Sequence, residues 1–447
     1  MTHQKWYQKT TFYHIYPLGF CGDLIGQRDS PLQKITEHLD YIQSMGFTGL
    51  YLGPLFESSS HGYDTTDYFK VDRRLGKNKD LKELIQKAHE KGIKVILDGV
   101  FNHVGRDFFA FKDILAKKEE SEYTEWFENL NFKSDNHHHD GFSYNTWENH
   151  EQLVKLNLTN PQVQNHLFEA IKYWVDDFEI DGLRLDAADC LDMDFLKALR
   201  QFTKTLKEDF WLMGEIIHGD YNNWLGEDRL HSVTNYECYK GLYSSFNDRN
   251  FFEIAYSLNR QFNGDGIYKN YHLYNFLDNH DVDRIKSKLN KSTDLYPLYI
   301  LLYTMPGIPS VYYGSEWGIS GKRTKYSDLA LRPVFDLERY QADSDFQDLP
   351  GLIKRLNGFR KQYKSLNTGD YSQIYVDHSH LIFKRETEDE IAYVGINASE
   401  EEFIYHFHVE NDDQYDDILN DQKPEYTQGK MSTRLYPNWG SVIIKRK

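Results

Sequence analysis

The chain has 447 residues, with 52 basic against 69 acidic side chains and a net charge of −17. That balance excludes nucleic acid and anionic membrane surfaces as partners by repulsion, and leaves a neutral ligand unaffected. Aromatic residues reach 15%, with 33 Tyr and 8 Trp, an excess that suits both a large core and a site that stacks sugar rings.

The length admits about two or three domains. Cys21, Cys190 and Cys238 show no metal spacing and fit reduced thiols. Met1 to Thr11 holds no apolar leader, and no run of about 18 apolar residues reads as a membrane span. The expectation is a cytoplasmic chain.

Phe12 to Pro17 reads as a first, aromatic strand. Pro31 to Met45 reads as a helix with Ile35, Leu39 and Ile42 on one face, stopped at Gly46. Thr48 to Leu52 is a second strand, followed by a long loop from Gly53 to Lys70. A helix from Asp80 to Lys91 and a third strand, Ile93 to Asp98, come next. This rhythm predicts parallel βα units.

Residues 104–156 break the rhythm. They are polar, aromatic and irregular, with Phe108, Phe109, Trp126, Phe127 and Trp147, and read as an inserted subdomain. The pattern resumes with a helix from Pro161 to Phe178 and a fourth strand, Gly182 to Asp186. Further strands are read at Phe210 to Glu215, Ser232 to Tyr236, Leu273 to Asp278 and Pro309 to Tyr313, the last after an apolar helix from Tyr296 to Thr304.

Eight strands alternating with helices close most simply as a (β/α)₈ barrel, with a doubly wound sheet as the alternative. Charged residues recur at the C-terminal ends of the strands, where barrels build active sites. From about residue 366, short alternating runs (Gln373 to Val376, His380 to Lys384, Ile391 to Val394, Glu402 to His406, Ser441 to Ile444) predict an antiparallel β-sandwich. The expected division is a barrel over 1–103 and 157–365, an insertion over 104–156, and a C-terminal domain over 366–447.

The fourth strand is the most informative stretch. Alternation puts Gly182, Arg184 and Asp186 on one face and Leu183 and Leu185 on the other. Arg184 can hold Asp186 ionised and oriented by a charge-assisted hydrogen bond. By itself this is also what a structural ion pair looks like. Three more segments close neighbouring strands: Asp98-Gly-Val-Phe-Asn-His103, Gly214-Glu215 and Phe276-Leu-Asp-Asn-His-Asp281.

These segments, in this order, resemble the α-amylase family of retaining glycosidases (glycoside hydrolase family 13). The likeness extends to His61-Gly-Tyr-Asp-Thr-Thr-Asp-Tyr68, Leu156-Asn-Leu-Thr-Asn-Pro161 and Pro306-Gly-Ile-Pro-Ser-Val-Tyr-Tyr-Gly314. Gly214-Glu-Ile-Ile-His218, Trp224-Leu225 and Val233-Thr-Asn-Tyr236 are most similar to the cyclomaltodextrinase and neopullulanase branch. The resemblance implies a barrel enzyme that cleaves α-1,4 bonds of maltodextrins with two carboxyl groups. Asp186 is then the nucleophile, Glu215 the acid and base, and Asp281 the stabiliser of the distorted sugar. Arg184 positions Asp186, and Asp98 supports Arg184. His103 and His280 donate to sugar hydroxyls and Tyr63 stacks on the sugar. Asp328 and Arg332 resemble a pair that contacts sugar or braces a loop.

The same motifs serve an exo-α-glucosidase or a 4-α-glucanotransferase. A non-catalytic carbohydrate-binding subunit would have no need of the three carboxyl groups. Endo against exo action, α-1,4 against α-1,6 preference and oligomeric state stay open.

His137-His-His139 reads as a solvated loop rather than a metal site, since consecutive histidines cannot all face one ion. The family's calcium site uses an asparagine at the place of Asn102, yet no metal or other cofactor is expected to be required. Two departures from the family stand out. Asp189-Cys190 occupies the place where α-amylases proper carry Lys-His on the leaving-group side. The first strand also starts right after Thr11, where the cyclomaltodextrinase branch has an N-terminal β-domain, so a chain without that domain is expected.

Overall fold

A computed structural model describes residues 4–22, 25–409 and 415–446; the first three residues of the Met1–Thr11 stretch lie outside these. Eight parallel strands form one sheet: β1 (Phe12–Ile15), β2 (Gly49–Leu52), β3 (Lys94–Gly99), β4 (Gly182–Leu185), β5 (Trp211–Gly214), β6 (Ser232–Val233), β7 (Tyr274–Phe276) and β8 (Ile308–Tyr312). Their order is β6-β5-β4-β3-β2-β1-β8-β7. A parallel bridge between Thr234 and Tyr274 joins β6 to β7 and closes the ring. The architecture is the expected barrel.

Inward positions build a dense aromatic plug of Phe12, Tyr51, Ile96, Trp211, Met213, Tyr274, Phe276 and Ile308. Phe12 and Trp211 stack at 5.3 Å. Gly182 makes this possible, because a Cβ there would meet the Trp211 carbonyl at 2.4 Å. Leu183 and Leu185 face outward into the helix-covered core, as alternation along a buried strand demands.

The helices have local reasons to form. Pro161–Phe178 starts with Pro at its first position and is capped by Asn160, whose side chain accepts from Gln162 N at 2.8 Å. Its buried face is Val163, Leu167, Ala170, Ile171, Trp174 and Phe178, spaced at helical period.

Two stretches expected to lack regular structure have it. The Gly53–Lys70 loop contains an antiparallel hairpin, Phe56–Ser58 with Thr65–Val71. The insertion carries a helix, Phe109–Lys117, and a three-stranded antiparallel sheet of His103–Gly105, His150–Lys155 and Thr146–Trp147. Strands this short show too few alternations for periodicity to register.

After the barrel, two antiparallel sheets face each other. One contains Asp370–Val376, His380–Glu386, Glu390–Asn397, Trp439–Arg446 and Tyr415–Asp417. The other contains Phe403–His408, Lys430–Leu435 and Glu425–Thr427. Ile382, Phe407, Met431, Leu435 and Ile443 form the core between them.

Candidate active site

Four strands deliver their charged residues to one end of the barrel. Arg184 points inward from β4 and is 3% exposed. Its Nη1 donates to Asp98 Oδ1 on β3 at 2.9 Å and to Asp186 Oδ1 at 2.7 Å. Its Nη2 lies 2.7 Å from Glu215 Oε2, just past β5. One planar guanidinium therefore holds three carboxyl groups from three adjacent strands. A fork of fixed geometry does this where a lysine point charge would not.

Asp98 is saturated. Besides Arg184, it accepts from Tyr51 and Tyr63 hydroxyls, both at 3.0 Å. Its carboxylate braces Arg184 and Tyr63 and has no oxygen directed at the mouth. The Tyr63 hydroxyl also bonds His280 Nε2, and the two rings are nearly parallel with centroids 5.4 Å apart. His280 Nε2 is 2.9 Å from Asp281 Oδ2. Arg332, arriving after β8, donates from Nη2 to Asp281 Oδ1 at 3.0 Å and from Nε to the His280 carbonyl at 3.0 Å. His103 Nε2 lies 4.0 Å from Asp186 Oδ2. Nine of the ten residues singled out from the sequence thus belong to one connected network, and the tenth, Asp328, adjoins it 3.7 Å from Arg332.

The electrostatics separate the three carboxyl groups. Burial pushes Glu215 above the usual carboxylate range, and Asp281 adds to the rise while Arg184 opposes it. Burial also pushes Asp186 up, with Arg184 opposing and Glu215 reinforcing. Two buried carboxyl groups on one cation disfavour each other's ionisation. Asp281 goes the other way: burial would raise it, but His280 and Arg332 outweigh that and hold it ionised. Burial pushes His103 down to about 3, so it is neutral.

The two oxygens of Glu215 differ in their surroundings. Glu215 Oε2 already faces Arg184 Nη2 and accepts from Ala187 N at 3.1 Å. Ala187 reaches it through a left-handed backbone, φ 43°. Glu215 Oε1 has only the Tyr236 hydroxyl, at 3.5 Å. Oε1 is the oxygen free to carry a proton toward a ligand.

Several site residues escaped the sequence reading. Tyr236 opens the helix after β6 and is held by Asn279 Nδ2 at 3.2 Å. Tyr16 closes β1, lies 5.7 Å from His280 and sits under the Arg332 guanidinium at 4.6 Å. Both stand just past C-terminal strand ends, so the rule that found Glu215 applies to them too. Trp147 comes from the insertion and lies 5.7 Å from His103; only its aromatic character marked it.

The triple histidine faces carboxylates rather than a common centre: His137 and His138 approach Glu151 at 2.8 and 3.7 Å, and His139 approaches Asp135 at 3.5 Å. The Asn102 Oδ1 atom is buried without a hydrogen-bond partner. One amide oxygen is a single donor, whereas calcium takes six to eight oxygens. Among the described residues, no three His, Cys, Asp or Glu side chains come together to hold a metal.

Residues 14–376 match the family described as Alpha amylase, catalytic domain. A cyclomaltodextrinase of Geobacillus thermopakistaniensis (strain MAS1) is 33% identical over 420 residues, covering 89% of this chain and 70% of that protein. An intracellular maltogenic amylase of Bacillus subtilis (strain 168) is 31% identical over 386 residues, covering 81% of this chain and 63% of that protein. Among solved structures, a cyclomaltodextrinase superposes with a TM-score of 0.86 at 26% identity, over 98% of this chain and 78% of that one. The cyclic alpha-maltosyl-(1→6)-maltose hydrolase from Arthrobacter globiformis, in complex with its cyclic sugar, gives 0.84 at 26% identity over 98% and 99%. Matched over most of its length in sequence and in fold, the chain belongs to the α-amylase family.

Proposed function

We propose that the protein hydrolyses α-1,4-glucosidic bonds of malto-oligosaccharides with retention of anomeric configuration. The observation that carries this reading is that Asp186 and Glu215 occupy the two ends of one guanidinium, at 2.7 Å each. A shared guanidinium keeps the two carboxyl groups close neighbours, the pairing that lets one act as nucleophile while the other gives the proton. That geometry belongs to double displacement rather than to single inversion. The relatives' names, cyclomaltodextrinase and maltogenic amylase, point to the same substrate class.

In the first step the Asp186 carboxylate attacks the anomeric carbon. The bond from that carbon to the leaving oxygen breaks, and the leaving oxygen takes the proton from Glu215 Oε1. In the second step a water gives its proton to Glu215 and its oxygen to the anomeric carbon, freeing Asp186. Asp281, held ionised, accepts from the sugar hydroxyls as positive charge builds on the ring. His280 keeps an Nδ1 atom without a hydrogen-bond partner, and His103 an Nε2 atom in the same condition. His103 Nε2, 4.0 Å from Asp186 Oδ2, is the one placed beside the reacting carboxylate.

No helix among the described residues is long and apolar enough to cross a membrane. We place the reaction inside the cell, as the name of the Bacillus subtilis relative says of that enzyme.

The test is reducing-sugar release from maltotriose, a cyclodextrin and soluble starch, with the anomer followed by proton NMR. The α-anomer is expected first, and Asp186→Asn is expected to abolish turnover. Turnover by Asp186→Asn at the wild-type rate, or initial release of the β-anomer, defeats the reading. Products longer than a maltotetraose substrate would move the assignment from hydrolysis to glucan transfer.

A further inference from the structure

The loop that follows β8 is tied to the loop that follows β7 at several points. Arg284 N donates to the Gly321 carbonyl at 2.9 Å. Gly321 N donates to Ser287 Oγ at 2.9 Å, and Arg323 N to Asp283 Oδ1 at 2.7 Å. Ion pairs continue the tie inward. Arg323 Nε lies 2.8 Å from Asp328, Asp328 lies 3.7 Å from Arg332, and Arg332 lies 3.0 Å from Asp281. A line of alternating charges so connects the rim to the reacting centre.

Between Arg323 and Asp328 the chain makes an ordered turn. Thr324 N and Oγ1 donate to the Ser327 carbonyl at 3.1 and 3.0 Å. Tyr326 N donates to Thr324 Oγ1 at 3.3 Å, and Leu329 N to Ser327 Oγ at 3.2 Å. This turn holds Tyr326 89% exposed and Leu329 77% exposed. They are the two most exposed large apolar side chains among the described residues. An ordered turn that keeps a tyrosine and a leucine in water beside a site presents a contact surface.

We propose that Tyr326 and Leu329 form an outer sugar subsite, where an α-glucan chain leaving the Asp281–Arg332 side of the mouth lays the apolar face of a glucose ring. A phenol ring offers a large rigid apolar face and a polar end, which matches a sugar's own two characters. The Lys325 ammonium lies over one face of the Tyr326 ring, 5.7 Å from its centroid, which leaves the other face to a sugar and a donor beside it. The proposal rests on the glycosidase reading and adds where chain length is sensed.

A second copy of the chain is the competing occupant. Lys322, Arg323 and Lys325 stand within four residues, so a two-fold contact through this turn would set the cations against themselves. A neutral glucan meets no such repulsion.

The test compares kcat/KM on maltotriose and maltoheptaose for wild type, Tyr326→Ala and Tyr326→Phe. An exposed side chain can be truncated without unfolding the protein, and thermal melting checks that. Tyr326→Ala is expected to lower kcat/KM on maltoheptaose about tenfold and on maltotriose less than about twofold, as loss of one stacking anchor would. Tyr326→Phe is expected to keep most of the maltoheptaose rate. Equal effects of Tyr326→Ala on both substrates overturn the proposal. So does sedimentation showing a dimer that Tyr326→Ala dissociates with no chain-length effect. If wild type turns over neither substrate, the glycosidase reading fails by itself. Calorimetric binding of maltoheptaose then decides the subsite: a weaker Tyr326→Ala supports it and equal affinity overturns it.

Discussion

Arg184 Nη2 and Glu215 Oε2 are 2.7 Å apart, although the two residues come from adjacent strands and the same guanidinium already serves Asp98 and Asp186 through Nη1. The contact assigns the two oxygens of Glu215 different tasks. Oε2 anchors the side chain and Oε1 is left to move a proton. In the proposed mechanism the arginine orients the acid and the nucleophile at once, and Asp98 with its two tyrosine donors fixes the arginine.

Replacing Arg184 by lysine keeps the charge and loses the fork. A single ammonium cannot reach Asp98, Asp186 and Glu215 together in this geometry. Misplacing the two reacting carboxyl groups by about 1 Å costs on the order of 10²-fold in rate. Arg184→Lys is therefore expected to lower kcat by roughly that factor on maltotriose while KM changes little. Steady-state kinetics on the purified variant, with circular dichroism as a check on folding, measure it. A rate within a factor of two or three of wild type would show that orientation by Arg184 is not needed.

Asp281 is expected to tune the acid as well as to bind sugar. Its negative charge is one of the causes that push Glu215 up. The first step needs Glu215 protonated, so kcat/KM falls as pH rises through the Glu215 pKa. Removing the charge with Asp281→Asn lowers that pKa. The basic limb of the pH profile should then move toward acid, on top of a rate loss of roughly 10²–10³-fold from the lost transition-state contact. A basic limb that stays in place in Asp281→Asn contradicts the coupling.

Much of this is legible in the sequence. Alternation along Gly182–Leu185 separates the inward Arg184 from the outward leucines, because a barrel strand has a packed interior and a helix-covered exterior. The carboxyl groups stand out because charged residues at the ends of otherwise apolar strands are costly unless they are used. The pairing of Arg332 with Asp281, across 51 residues, was not legible: it depends on how two loops fold over each other, and no local pattern encodes that. The hairpin at Phe56–Ser58 and Thr65–Val71 was hidden by Gly62 and its neighbours, which read as loop. Tyr236 was visible as a motif residue, but its place beside Glu215 required the strand register.

The closed end of the barrel is expected to govern acid stability through Asp181. This carboxylate, whose side chain is 0% exposed, meets Lys94 at 2.9 Å, Lys207 at 2.6 Å and His89 at 2.8 Å, and accepts from Val95 N at 2.9 Å. Burial opposes its ionisation, but the His89 and Lys207 contacts outweigh it and hold the group well below the usual range. A depressed folded pKa contributes stability above the unfolded value of about 3.9, and that contribution is lost as pH falls below it. Asp181→Ala should cost on the order of 3 kcal/mol at pH 7, moderated because the lysines reach water. The gap between wild type and variant should shrink at pH 3. Thermal melts at the two pH values test this, and a constant gap would refute it.

Glu316 predicts the opposite pH dependence. It is fully buried just past β8, accepts from the Tyr13 hydroxyl at 2.7 Å through Oε1, and has an Oε2 atom with no partner. Burial pushes its pKa up to about 7. The unfolded value is about 4.3, so the folded state binds the proton more tightly than the unfolded one. For a carboxyl raised in this way, stability is lost progressively as pH rises from about 4 to about 7 and levels off above that. Glu316→Gln keeps an acceptor for Tyr13 and removes the ionisable proton. It should be stabilising by about 1 kcal/mol at pH 5 and by on the order of 3–4 kcal/mol at pH 8, the linkage value for a rise of this size. Denaturant melts of wild type and Glu316→Gln at pH 5, 6.5 and 8 give the comparison. A variant that loses the same stability at all three values would mean that Glu316 stays ionised throughout and that some unseen partner compensates its charge.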